Sequence, residues 1–132
     1  EIGDGAYVND KKISVTKTNE LSKSLIATGF PYTRITTTKN NLNYLKNMID
    51  IVQGIRRSGS AAIDICFVAC GRLDGYWELG LKTMDTLPAQ VILNEAGGKF
   101  TDMKGKKIEM NYENIGASNG FIHDELITRL NK

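Results

Sequence analysis

The sequence predicts an α/β protein, a layered sandwich in which helices pack on a mixed sheet. Two observations carry that expectation. Stretches with strand alternation take turns with stretches of helical period through most of the chain. The first two strands are joined by so short a turn that they must pair antiparallel, which makes a purely parallel sheet unsuitable.

The first element pair is Ala6-Tyr7-Val8 and Ile13-Ser14-Val15, with Asn9-Asp10 supplying the hairpin turn. Asn19 is placed to cap a helical turn over Glu20 to Lys23, and Leu25-Ile26-Ala27-Thr28 follows as a short apolar strand. Gly29-Phe30-Pro31-Tyr32 then breaks the chain into a loop. From Asn40 to Gln53, Leu42, Leu45, Ile49 and Val52 fall at spacings of three and four, which predicts an amphipathic helix with that stripe buried. Gly54 stands where a helix stop belongs, and Ile55-Arg56 leads back toward the sheet.

Ser60 is a good N-cap for a helix running to Cys70 and stopping at Gly71, with Ile63, Phe67 and Cys70 at helical spacing. Leu73 to Leu79 alternates apolar residues with Asp74, Tyr76 and Glu78, a strand with two differing faces. Asp85 reads as the N-cap of a further helix whose first turn tolerates Pro88. Leu87, Val91 and Ile92 supply its apolar side, and Gly97-Gly98 ends it. Lys99 to Met103 is a strand, Lys104-Gly105-Lys106 a turn, and Ile115 to Ser118 the last strand. Asn119-Gly120 precedes a terminal helix with Ile122, Leu126 and Leu130 on one face.

Composition narrows the function classes. The 132 residues fit one domain with a real core, and 41% hydrophobic with 24% charged residues is ordinary globular usage. A net charge of +2 gives no nucleic-acid or membrane-surface signal. No apolar run approaches the roughly 18 residues of a membrane span, and no basic stretch precedes an apolar one at the start. Cys66 and Cys70 lie four apart on a helix, a spacing poorly suited to a disulfide, so they are expected to be buried small hydrophobes in a reducing, cytoplasmic setting. The chain begins at Glu1 and enters a strand and turn almost at once, so it is expected to be the later part of a longer protein.

Chemistry concentrates between Gly59 and Gly98. Gly59-Ser60-Ala61 lets backbone approach a ligand, and the free N–H groups of a helix start attract anions; a plain helix cap accounts for the same residues. A rigid ionised carboxylate at Asp85 suits Mg²⁺, which takes one or two carboxylates with phosphate oxygens and water; here too a simple cap is the alternative. Glu78, near a strand end, is either a ligand contact or a solvated edge acid. The same choice between a role and a solvated surface applies to the basic pair Arg56-Arg57. His123 is the single histidine and lies in the terminal helix, which argues against a Ser-His-Asp triad. Neither a Walker A loop nor a GxGxxG is present.

Taken together, Gly54-Ile55-Arg56-Arg57-Ser58-Gly59-Ser60-Ala61-Ala62, Gly71-Arg72-Leu73-Asp74-Gly75-Tyr76-Trp77-Glu78, Met84-Asp85 and Glu95-Ala96-Gly97-Gly98 resemble the inositol monophosphatase family. Gly5-Ala6-Tyr7-Val8-Asn9, Thr28-Gly29-Phe30-Pro31-Tyr32 and Ala117-Ser118-Asn119-Gly120 extend the resemblance over nearly the whole chain. It implies the C-terminal half of an α/β/α sandwich, residues 1–132, from a usually dimeric Mg²⁺-dependent phosphomonoesterase. The implied substrate is a small phosphorylated polyol or sugar, inositol monophosphate first, without nucleic acid or membrane.

By the same resemblance, Gly59, Ser60 and Ala61 touch substrate, Glu78 bonds a substrate hydroxyl, and Asp85 binds both metal and substrate. No residue of this stretch matches the family's water-activating group, so the chain alone is expected to be inactive. The family's "WDxAA" reads Met84-Asp85-Thr86-Leu87-Pro88 here, and its earlier glutamate pair and "DPxDGT" ligands have no counterpart. Related sugar, histidinol or nucleotide phosphatases, and a non-catalytic binding or regulatory module, are the alternatives.

Overall fold

The computed structural model describes residues 2–31, 40–108 and 113–132. A hairpin of β1 (Ala6–Val8) and β2 (Lys11–Ile13) opens the chain. Asn9 and Asp10 both take positive φ, 50° and 66°, the geometry of a type I′ turn that matches strand twist. The remaining strands are β3 (Leu25–Thr28), β4 (Gly54–Arg56), β5 (Gly75–Glu78), β6 (Lys99–Thr101) and β7 (Ile115–Ser118). They form one sheet in the order β4-β3-β5-β7-β6. Strands β4, β3 and β5 run parallel, while β7 pairs antiparallel with both β5 and β6. The sheet is mixed, as expected, but for another reason: the hairpin stays outside it as a separate two-stranded sheet.

Helices α1 (Leu42–Ile49) and α4 (His123–Leu130) cover one face of the sheet. Helices α2 (Ala61–Ala69) and α3 (Thr83–Glu95) cover the other. Strand β5 divides the two cores between neighbouring side chains. Tyr76 enters the core with Ile65, Val68 and Leu93, whereas Trp77 enters the core with Met48, Leu126 and Leu130. The alternation read in this strand therefore separates two buried faces, not a buried from a wet one.

Three helix faces differ from the sequence reading. In α1 the buried residue is Met48, whereas Leu42 and Ile49 are 57% and 59% exposed. That helix is also shorter than residues 40–53, because Asn41 holds a left-handed conformation (φ 78°) at its start. Gly54 is the first residue of β4 and not a helix stop; Asp50 is the C-cap. In α2 the inward residues are Asp64, Ile65, Val68 and Ala69, and in α3 they are Thr86, Ala89, Gln90 and Leu93. Ile63 is 48% exposed, and Leu87, Val91 and Ile92 are 37–38% exposed. Both helices are apolar around much of their circumference, so period alone cannot choose a face. Small residues such as Ala69 and Ala89 decide it, since they let α2, α3 and the sheet approach closely.

Smaller corrections follow the same logic. Glu20, not Asn19, precedes the short 3₁₀ turn Leu21–Lys23 and gives no side-chain cap; it pairs with Lys23 at 3.2 Å. Cys66 and Cys70 are free and half-buried. The last-strand loop is fixed by Asp102 Oδ1, which accepts from Lys104 N at 2.8 Å and Lys106 N at 2.9 Å. Tyr32, read as part of the loop after β3, lies outside the described residues.

Buried polar groups tie the layers together. Asn41 donates to Thr28 Oγ1 at 2.8 Å and to the Gly29 carbonyl at 2.7 Å, and accepts from Trp77 Nε1 at 2.6 Å. Asp74 accepts from Thr16 Oγ1 at 2.6 Å and from Leu25 N at 2.8 Å, which pins the segment after the hairpin to the sheet. His123, 1% exposed, bridges Thr101 Oγ1 and Ser118 Oγ at 2.7 and 2.8 Å. Among the described residues no helix is long and apolar enough to cross a membrane.

Candidate active site

Three parallel strands end at one edge of the sheet, and their outgoing connections carry the sequence-predicted residues. Strand β3 ends at Thr28 and releases Gly29-Phe30, β4 ends at Arg56 and leads into Gly59-Ser60-Ala61, and β5 ends at Glu78 itself. Helices α2 and α3 both begin at this edge. The carboxyl edge of parallel strands is where open α/β sheets form ligand crevices, because the connecting loops diverge there.

Ser60 caps α2 as expected, its Oγ accepting from Ile63 N at 3.3 Å. Gly59 takes φ +90°, and the space a Cβ would occupy there is open. This positive φ turns the chain sharply into the helix, a conformation that costs a residue with a Cβ. The N–H groups of Ala61 and Ala62 precede the helical ladder and face outward from the helix start. The preceding Ser58 hydroxyl braces the turn, accepting from Ser60 N at 3.1 Å.

Glu78 is half-buried and not a solvated edge acid. Its carboxyl rests on Gly29, where an added Cβ would lie 2.8 Å from Glu78 Cδ. Burial raises the proton affinity of this carboxyl; the Tyr76 hydroxyl and Arg57 draw it down, and Asp64 pushes it up. Asp64 is 2% exposed on the inward side of α2, and burial raises its carboxyl too, opposed by the Ser58 hydroxyl. Arg57 stacks over the Phe30 ring, 5.4 Å from its centroid, which holds one cation beside the pocket. A cavity of about 360 Å³ opens alongside, lined by Arg56, Arg57, Ser58, Asp64, Phe67 and Arg72. A larger cavity of about 760 Å³, beside α1 and the end of α4, holds none of the predicted site residues.

Asp85 departs from its expected geometry. Helix α3 starts at Thr83 with Lys82 as N-cap, so Asp85 lies within the first turn and its side chain makes no cap. Its backbone N–H bonds the Lys82 carbonyl at 3.0 Å. Pro88 consequently falls inside the helix, one turn later than expected. The exposed Asp85 carboxylate is a hard oxygen donor of the type Mg²⁺ takes, but one donor does not make a site. Among the described residues no group of three His, Cys, Asp or Glu could hold a metal.

The structure thus brings Gly59–Ala61 and Glu78 to one edge, with the charge of Asp64 acting on Glu78, and sets Asp85 at that edge without a described contact to them. Sequence reasoning missed Asp64, Tyr76, Gly29 and the Arg57–Phe30 stack. Two signals pointed to them. Asp64 is the one charged residue on an otherwise apolar helix, and Tyr76 shares strand parity with Glu78.

These features define a layered α/β protein whose candidate site residues gather at the carboxyl edge of its parallel strands. The chain belongs to the inositol monophosphatase family, whose profile matches residues 1–132. It is 46% identical over 122 residues to an inositol-1-monophosphatase of Synechocystis, covering 92% of this chain and 42% of that protein. The solved inositol monophosphatase of Anabaena (Nostoc) superposes with a TM-score of 0.93 at 46% identity, over 97% of this chain and 51% of the other. A Nus factor SuhB of Pasteurella multocida is 33% identical, over 97% of this chain and 48% of the relative. The chain spans about half the length of the relatives it matches, 42% and 50% for two inositol-1-monophosphatases.

Proposed function

We propose that these residues are the C-terminal half of a Mg²⁺-dependent phosphomonoesterase acting on a small phosphorylated polyol, with inositol monophosphate the first substrate to test. The observation that carries this reading is the convergence of Gly59-Ser60-Ala61 and Glu78 at one edge of the sheet, in a chain of this family. The α2 start offers backbone N–H groups to a phosphate-bearing ligand. Glu78 accepts a hydrogen bond from a ligand hydroxyl, and Arg57 beside it adds positive charge. Asp85 serves as one metal ligand, with the other donors supplied from outside these residues. Bound Mg²⁺ would activate a water and offset charge on the phosphate. The working protein in this reading is a cytoplasmic dimer, and the 132 residues alone are inactive.

The test is turnover by the full-length protein with Mg²⁺ on inositol 1-phosphate, histidinol phosphate, fructose bisphosphate and a nucleotide 3′-phosphate. Metal-dependent hydrolysis with inositol phosphate preferred supports the proposal; preference for another member moves the substrate within the same chemistry. A second reading is favoured by the Nus factor names among the relatives, that of a regulatory module. Absence of turnover on all four substrates would favour it.

A further inference from the structure

Tyr76 is fully buried, yet among the described residues its hydroxyl has no hydrogen-bond partner. A buried hydroxyl without a partner is unfavourable, and phenylalanine would fill the same volume without that cost. The hydroxyl therefore has work to do in some state of the pocket. Tyr76 and Glu78 are two apart on β5, so both project from the same face of the sheet. Burial first, then the charge of Glu78 and, more weakly, that of Asp64 disfavour ionisation of the phenol, so both carboxyls act on it and Glu78 the more strongly. Glu78, which shares the strand face with Tyr76, is thus the acceptor available to the hydroxyl. The groups facing Glu78 are Tyr76 on its own strand, Asp64 from α2 and Arg57 after β4; the β3 loop contributes Gly29, which has no charge.

We propose that Tyr76 is a positioning residue of this pocket: its hydroxyl donates to one oxygen of Glu78 and keeps the other ionised and turned toward a ligand hydroxyl. The pocket is thereby matched to polyol monophosphates and not to phosphomonoesters without a neighbouring hydroxyl. The inference rests on the functional reading above. Removing the phenol leaves Glu78 against buried Asp64 with only Arg57 to offset it, so the carboxyl takes up a proton at higher pH and becomes a weaker, neutral acceptor.

The experiment compares full-length wild type, Tyr76→Phe and Glu78→Gln on inositol 1-phosphate and phenyl phosphate across pH, with a ¹³C NMR titration of the Glu78 carboxyl. In Tyr76→Phe the expected KM for inositol 1-phosphate rises about tenfold with kcat within about twofold. The acid limb of kcat/KM and the Glu78 titration both move to higher pH, and phenyl phosphate kinetics stay unchanged. Glu78→Gln loses that limb. Equal effects on both substrates, or an unmoved Glu78 titration, would overturn the inference. If wild type hydrolyses neither ester, the phosphatase reading fails on its own, and the NMR titration still decides whether Tyr76 holds Glu78.

Discussion

The carboxyl group of Glu78 lies directly on the α-carbon of Gly29, so close that a Cβ at position 29 would stand 2.8 Å from Glu78 Cδ. The loop after β3 therefore shapes the acid at the end of β5, although Gly29 and Glu78 are 49 positions apart in the chain; Thr28 lies opposite Trp77 in the sheet.

Replacing Gly29 by alanine must push the Glu78 side chain aside, which its flexibility permits without unfolding the sheet. In the full-length protein, Gly29→Ala is expected to raise KM for a polyol phosphate about tenfold while kcat falls less, the loss of roughly one hydrogen bond to a charged group. Thermal unfolding should change little. An unaltered KM would mean that Glu78 is not held by this contact.

His123 makes folding acid-sensitive. Thr101 Oγ1 donates to the Asp102 carbonyl at 2.8 Å, so it must accept from His123 Nε2–H at 2.7 Å, leaving Nδ1 to accept from Ser118. The neutral ring is fully satisfied. Burial, with Lys99 adding to it, lowers its pKa to about 4 from 6.5. The unfolded chain then binds the proton that the folded one refuses, so stability is lost as pH falls from about 6.5 toward about 4. Between pH 7.5 and 5 the expected loss from this group is about 2 kcal/mol in urea unfolding. His123→Gln should flatten that part of the pH dependence, and equal losses in both proteins would exclude the assignment.

Asn41 combines a left-handed backbone with three buried side-chain bonds, and two variants separate these roles. Asn41→Gly keeps the backbone and strands Trp77 Nε1, for an expected cost of about 2–3 kcal/mol. Asn41→Ala adds the strain of a left-handed residue with a Cβ, about 1 kcal/mol more. Equal urea midpoints for the two variants would show that the conformation contributes nothing.

Met84 is 88% exposed, and Leu87 and Val91 follow it at helical spacing along the outer side of α3. An apolar stripe of this kind associates in water. The 132 residues on their own are expected to sediment as a concentration-dependent oligomer, and Met84→Lys with Leu87→Lys and Val91→Lys to sediment as a monomer. A monomeric parent chain at tens of micromolar would refute this.

Much of the fold was legible because its punctuation is local. The Asn9-Asp10 turn, the Ser60 cap and the strand spans at Leu25, Gly75 and Ile115 are set by residues within a few positions. The inward faces of α2 and α3 were not legible, since apolar residues ring both helices and only tertiary packing selects a side. The start of α3 falls three residues before the position that Asp85 suggests, with Lys82 as the N-cap. Gly59–Ala61 and Glu78 stand out in the sequence as separate motifs; Asp64, whose charge acts on Glu78, is hidden among apolar neighbours whose inward face the period does not reveal.

Trp77 is the single tryptophan of the sequence, and its indole is wired through Asn41 to the carbonyl of Gly29, the residue beneath Glu78. The pocket therefore carries its own optical reporter. A shift of the Gly29 loop is expected to reach the indole through Asn41, so the emission of one side chain reads it without any label.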